Sequence, residues 1–176
     1  MSTATLSKPT KSSATTSGEK YLTFALGNEE YGLEILKVRE IIGYMEITAV
    51  PRTPSHVKGV INLRGQVISV VDLRAKFQMK EVEKTEATCI IVVEITGNAG
   101  RKLSTGIIVD RVSEVLNILP ENIEPAPEFG GAVNTDFILG MGKIGKSVKI
   151  LLDIDKVLTR EEQTHLAEIT EETQPV

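Results

Sequence analysis

The amino-acid sequence predicts an all-β chain made of two small β-barrels packed together, with a short helix near the C-terminal end. Three observations lead there. The hydrophobic share is 41% but the aromatic share only 4%, with no Trp, so the core is built from Val, Ile, Leu and Ala, and the β-branched members of that set suit a pleated sheet. The stretch Gly59 to Arg74, GVINLRGQVISVVDLR, sets two aliphatic runs around Asn62-Leu63-Arg64-Gly65, the pattern of an antiparallel hairpin with a glycine at its corner. That pattern then returns. Gly59-Val60-Ile61, Gly65, Val67 and Val70-Val71-Asp72-Leu73 match Gly140-Met141-Gly142, Lys146, Val148 and Leu151-Leu152-Asp153-Ile154, each 81 residues on, and Gly32 to Ile42 matches Gly106 to Leu116, each 74 residues on. Two matches in the same order imply two copies of one unit. A unit of about five short strands leaves sheet edges exposed unless it curls into a barrel.

The elements follow in order. Residues 1–18 are Ser, Thr, Lys and Ala with little to bury, which predicts a disordered tail. Tyr21 to Leu26 and Tyr31 to Ile35 read as strands around the turn Gly27-Asn28-Glu29-Glu30. Leu36 to Ile42 fits a short helix or a bent strand, and Ile47 to Val50 reads as a short strand before Pro51 and Pro54. After the central hairpin, Leu73 to Phe77 suits one helical turn and Glu81 to Glu86 a charged connection. Thr88 to Ile95, Leu103 to Val109 and Arg111 to Ile118 are strand-like, and a Pro-rich passage runs from Pro120 to Pro127. Phe137 to Ile144 and Ser147 to Ile154 form the second hairpin. Beyond Asp153 the pattern turns helical, with Thr159 and Glu162 at capping-box spacing. The principal domain therefore spans 19–159, followed by an acidic helix and tail over 160–176.

Charge narrows the function. The net charge is −4, but the N-terminal tail is basic and 160–176 carries five glutamates against Arg160, so the body between them holds −2. A nucleic-acid-binding β-barrel is the alternative reading for such a fold. It needs a basic face with exposed aromatics, and this sequence offers neither. No apolar run approaches a membrane span, so direct membrane insertion is not expected. Cys89 is the single cysteine and reads as a small buried hydrophobe.

A search for catalytic chemistry finds little. Gly140-Met141-Gly142-Lys143-Ile144-Gly145 satisfies G-x-G-x-x-G, but a strand follows it where a dinucleotide site needs a helix. His56 and His165 lack companions at metal-ligand spacing. Ser69 and Ser147 lack a nucleophile elbow, and Asp72 and Asp153, equivalent in the repeat, suit capping better than catalysis. No enzyme, cofactor or metal site is expected. What remains is a surface mixing apolar residues such as Val38, Met45 and Phe129 with isolated charges such as Glu40 and Arg64, the composition of protein interfaces. Val38 suits core packing equally well. A Glu40–Arg64 ion pair at the rim of the first barrel is expected.

GVINLRGQVISVVDLR resembles the signature of the CheW family of bacterial chemotaxis coupling proteins. So do Phe24-Ala25-Leu26-Gly27 with Tyr31-Gly32, Val38 with Glu40-Ile41, Gly106-Ile107-Ile108-Val109-Asp110 with Val112, and Pro125-Ala126-Pro127-Glu128-Phe129. The resemblance covers about Glu19 to Leu166. It implies two SH3-like five-stranded barrels around a shared core, and a non-enzymatic cytoplasmic adaptor, monomeric when free. Such an adaptor joins chemoreceptor tips to the histidine kinase CheA in membrane-associated arrays. By the same resemblance, Val38, Glu40, Gly59 and Arg64 contact the kinase's regulatory domain, Phe129 makes a second kinase contact, and Val112 and Val115 line a groove for the receptor tip. Ser69 stands where the signature often has Pro. Glu124 stands where some members carry Arg, so an ion pair at the second contact is lost or reversed.

Overall fold

The computed structural model describes residues 18–97, 100–127 and 135–157. Strands β1 (Glu19–Leu26) and β2 (Glu29–Glu34) open the chain, and a 3-10 turn, Ile35–Lys37, leads to β3 (Val38–Gly43). The central hairpin is β4 (Val57–Leu63) and β5 (Gln66–Asp72), capped by the single-turn helix α1 (Leu73–Lys76). Next come β6 (Cys89–Thr96), β7 (Lys102–Val109) and β8 (Arg111–Ile118). A short β9 (Ile123–Glu124) precedes the second hairpin, β10 (Ile138–Ile144) and β11 (Ser147–Leu152), and α2 (Ile154–Val157) follows. The ambiguous stretch from Leu36 is thus a tight turn and then a strand. Ile47 to Val50, expected as a strand, contributes only one bridge, Thr48 to Val60.

The strands form two sheets, ordered β3-β6-β7-β5-β4 and β8-β1-β2-β11-β10-β9. Read along the two orders, the repeat partners align: β3 with β8, β7 with β2, β5 with β11 and β4 with β10. Each sheet contains one parallel pair at the same place, β5 with β7 and β11 with β2. The repeat is therefore real in three dimensions, but its copies are interleaved. The first copy sends β1 and β2 to the six-stranded sheet and β3 to β5 to the other, and the second copy does the reverse. The chain crosses between sheets at Ile35–Lys37 and again at Asp110.

Interleaving explains why the strand sequences are almost continuously apolar. In β6, Ile91, Val93 and Ile95 face the large core between the sheets, with Leu22, Phe24, Leu26 and Leu33 opposite, while Ile90 and Val92 face a second core with Ile61, Ile68 and Val70. A third, smaller core holds Tyr21, Ile118 and Leu151. A strand buried on both faces needs apolar residues at every position rather than at alternate ones. Leu73, Ile154 and Val157 plug the shared core from the two helices. Each fully buried aliphatic side chain contributes about 1.5–3 kcal/mol. The scarce aromatics concentrate in one run, with ring centroids 5.8 Å apart for Phe24 and Tyr31, 5.9 Å for Tyr31 and Phe77 and 5.5 Å for Phe77 and Phe137. It links β1 and β2 to the chain after α1 and before β10.

Asp72 and Asp153 do the same work in the two copies. Asp72 Oδ1 accepts the Arg74 N–H at 3.0 Å and Asp153 Oδ1 accepts the Asp155 N–H at 3.1 Å, so each starts a helix as an N-cap.

Candidate interaction surfaces

The hairpin tip sets the first surface. Leu63 pairs with Gln66, leaving Arg64 and Gly65 as a two-residue loop with φ of 53° and 88°. Positive φ at both central positions is the type I′ turn, whose twist matches that of the strands it joins. Asn62 Oδ1 accepts the Gly65 N–H at 2.8 Å and steadies it. The second hairpin solves the same problem differently, with Gly145 first in its loop at φ 59°.

Holding Arg64 in this turn aims its guanidinium at Glu40 on the edge strand β3, and the two form the expected ion pair. Its hydrogen bond to Glu40 raises the Arg64 pKa further above its ordinary value. Around the pair lies a concave surface lined by Arg39, Leu63, Gln66 and Ser104. The other residues predicted for this surface sit apart from its rim. Val38 is half-buried and packs on the shared core. Gly59 is buried at a bulge in β4, where a Cβ would lie 1.9 Å from the Thr48 carbonyl oxygen; its presence is explained by backbone approach. Phe129 lies outside the described residues.

The second surface is β8, an edge strand that pairs with β1 only. Its register shifts between Leu22 and Phe24, and Thr23 fills the bulge: its Oγ1 donates to the Glu114 carbonyl at 2.8 Å and accepts the Glu114 N–H at 3.1 Å. The bulge divides the strand's valines. Val112, opposite Phe24, packs half-buried on the shared core, whereas Val115, opposite Leu22, is 49% exposed. Its repeat partner on β3, Ile41, is 44% exposed. Glu30 gathers the charges beside β8, accepting from Lys149 at 2.5 Å and Ser113 at 3.1 Å, and the Lys149 hydrogen bond holds the Glu30 carboxyl below the usual range. Glu124 is paired within the chain to Lys143 at 2.6 Å.

Sequence reasoning missed two ion pairs at the crossovers. Arg74 Nε and Nη2 donate to the two carboxylate oxygens of Asp110 at 2.8 and 2.7 Å, a bidentate arrangement, and the Gly27 N–H adds a third bond at 2.7 Å. Lys37 Nζ donates to Asp155 Oδ2 at 2.8 Å, and the Thr96 N–H to Oδ1 at 2.7 Å. The available signal was the repeat, because Arg74 and Asp155 hold the same position, two residues past the capping aspartate.

No group suited to catalysis is assembled among the described residues. None of their His, Cys, Asp and Glu side chains cluster in threes as a metal site would require. Ser69 is fully buried, the Ser147 hydroxyl donates to the Ile144 carbonyl at 2.9 Å, and burial pushes the Cys89 thiol up. Gly140 to Ile144 is strand followed by a turn into β11, with no helix. No described helix is long and apolar enough to cross a membrane.

Fold and surfaces together define a paired-sheet module with candidate surfaces at two of its edge strands, β3 and β8. The CheW-like domain model matches residues 20–162. The chain is similar to "Chemotaxis protein CheW" of Klebsiella aerogenes, 45% identical over 159 residues, covering 90% of this chain and 93% of that one. It is also similar to the protein of that name from Bacillus subtilis, 35% identical over 137 residues, covering 78% and 83%. Among solved structures it resembles the scaffolding protein TtCheW of Thermoanaerobacter tengcongensis, with a TM-score of 0.71 and 35% identity, covering 82% of this chain and 97% of that one. The chain belongs to the CheW-like family of chemotaxis scaffold proteins, and its all-β fold of two SH3-like units is the one expected.

Proposed function

We propose that this chain is a chemotaxis adaptor that couples chemoreceptor cytoplasmic tips to the histidine kinase CheA, without chemistry of its own, in arrays at the membrane. The observation that carries the reading is the Glu40–Arg64 pair, held at the mouth of the five-stranded sheet by a turn whose geometry leaves the guanidinium at the surface. A paired charge in a concave surface that also holds Leu63, Ile68 and Val92 suits a protein partner, which supplies apolar contact and a polar rim. In this reading Val38, Glu40, Gly59 and Arg64 form or support the site for the kinase regulatory domain, and Phe129 belongs to the second kinase contact. Val112 and Val115 take the receptor tip as a helix laid along a groove. Coupling needs two distinct sites and a differential interaction with signalling states, and the shared core joins the elements that carry the two sites.

The test is binding of purified protein to the isolated regulatory domain and, separately, to a receptor-tip fragment. Arg64→Ala is expected to weaken kinase-domain binding about tenfold or more while receptor binding stays within about twofold. Failure of the wild type to bind either partner overturns the reading.

A further inference from the structure

The two crossover ion pairs are similar devices with their charges exchanged, their helix partners Arg74 and Asp155 equivalent in the repeat and their crossover partners Asp110 and Lys37 one residue out of step. In the first, the base is on the helix (Arg74) and the acid on the crossover (Asp110); in the second, the acid is on the helix (Asp155) and the base on the crossover (Lys37). Whichever side carries the acid, it also accepts one backbone N–H from the end of the equivalent strand: Gly27 after β1 donates to Asp110, and Thr96 closing β6 donates to Asp155. Arg74 further donates through Nη1 to the Lys80 carbonyl at 2.7 Å, and the Asp110 N–H is bound by the Ala25 carbonyl at 3.1 Å. Each clasp therefore joins a helix, a crossover and a strand end from both halves of the chain.

Each clasp also stands at the root of a different edge strand. Asp110 immediately precedes β8, with Val112 and Val115, and Lys37 immediately precedes β3, with Val38 and Glu40. We infer that Arg74 and Asp110 are positioning residues for the β8 surface and Lys37 and Asp155 for the β3 surface, so that each clasp tunes recognition of one partner and not the other. The partner assignments rest on the adaptor reading above; the positioning of the two strands does not.

Two isosteric or near-isosteric variants separate the roles. Asp110→Asn is expected to speed amide hydrogen exchange in β8 about tenfold or more while β3 stays within about twofold, and Lys37→Met to do the reverse. In binding, Asp110→Asn weakens the receptor-tip fragment about tenfold with kinase-domain binding within about twofold, and Lys37→Met shows the opposite pattern. Rescue supplies the stringent control. The double variant Arg74→Asp with Asp110→Lys, which keeps an ion pair with its ends exchanged, is expected to restore β8 protection and receptor binding in part, while either single change does not. Exchange that rises equally in both strands, or in neither, overturns the inference, as does failure of the reversed pair to rescue. Strand-selective exchange in a protein whose wild type binds neither partner overturns the adaptor reading and leaves the positioning roles standing.

Discussion

Ser69 and Thr105 stand opposite each other in parallel register on β5 and β7, both fully buried, and neither hydroxyl has a hydrogen-bond partner among the described residues. Their side chains share the sheet face that carries Val71 and Ile107 into the core between the two sheets. A buried hydroxyl without a partner costs about 1–3 kcal/mol relative to an apolar group of the same shape. Thr105→Val, close to isosteric, is therefore expected to be neutral or to stabilise by about 1 kcal/mol in urea unfolding. A loss of that size instead shows that the hydroxyl is satisfied in solution.

Gly59 and Gly65 test the same residue type in opposite surroundings. At Gly59, φ is 142° and an added Cβ would meet the Thr48 carbonyl oxygen at 1.9 Å and its carbon at 2.7 Å. Backbone cannot swing aside as a side chain can, so Gly59→Ala is expected to cost about 3 kcal/mol or more. At Gly65, φ is 88° but nothing lies within 4 Å, and Gly65→Ala costs about 1 kcal/mol through backbone strain alone. Equal losses at the two sites contradict the account of β4 as a strand pressed against Thr48.

Stability should fall at acid pH partly through Asp110. The Arg74 hydrogen bonds hold its carboxyl below the ordinary value of 3.8, and the Gly27 N–H adds to them. A carboxyl whose folded-state pKa is depressed contributes stability that is complete above the unfolded-state value and is lost as pH falls through the folded-state value. The loss attributable to this group therefore begins near pH 4 and continues below it. Asp110→Asn should lower stability at pH 7 and flatten the acid limb of a stability–pH profile. A variant whose profile stays parallel to wild type contradicts the bidentate pair.

The central hairpin could be read from residues because its signals are local. Arg64-Gly65 between two aliphatic runs specifies a tight turn, and Asp72 at the end of β5 specifies a cap. The repeat likewise announced two copies. It did not reveal that the copies trade strands, because a repeat fixes which segments are equivalent and leaves open which of them pair. That choice is made by contacts between residues far apart in sequence, such as Ile150 with Tyr31 and Ser69 with Thr105. The crossover clasps were hidden for the same reason, with Lys37 and Asp155 118 residues apart. Ile47 to Val50 has strand-like residues but finds only Val60 to pair with, a case of tertiary context overriding propensity. The Glu40–Arg64 pair was foreseeable because a charge between apolar strands must be paired or face outward, whereas the burial of Gly59 shows only when Thr48 is placed against it.

The exposed valine on β8 gives a sharper test of the receptor surface than the half-buried one. Val115→Asp changes a side chain that is 49% exposed and is expected to leave the melting temperature within about 3 °C while weakening receptor-tip binding about tenfold or more. Val112 packs on the shared core, so Val112→Asp is expected to destabilise the fold as well. If Val115→Asp binds as the wild type does, β8 is not the receptor surface.

In the proposed adaptor, two surfaces of one molecule engage two partners at once. The most direct measurement is sedimentation velocity of this protein mixed with the CheA regulatory domain and a receptor-tip fragment, each in turn and then together. The account predicts a faster-sedimenting species that contains all three components and is reduced by Arg64→Ala. Two binary complexes that compete, with no ternary species, would contradict it.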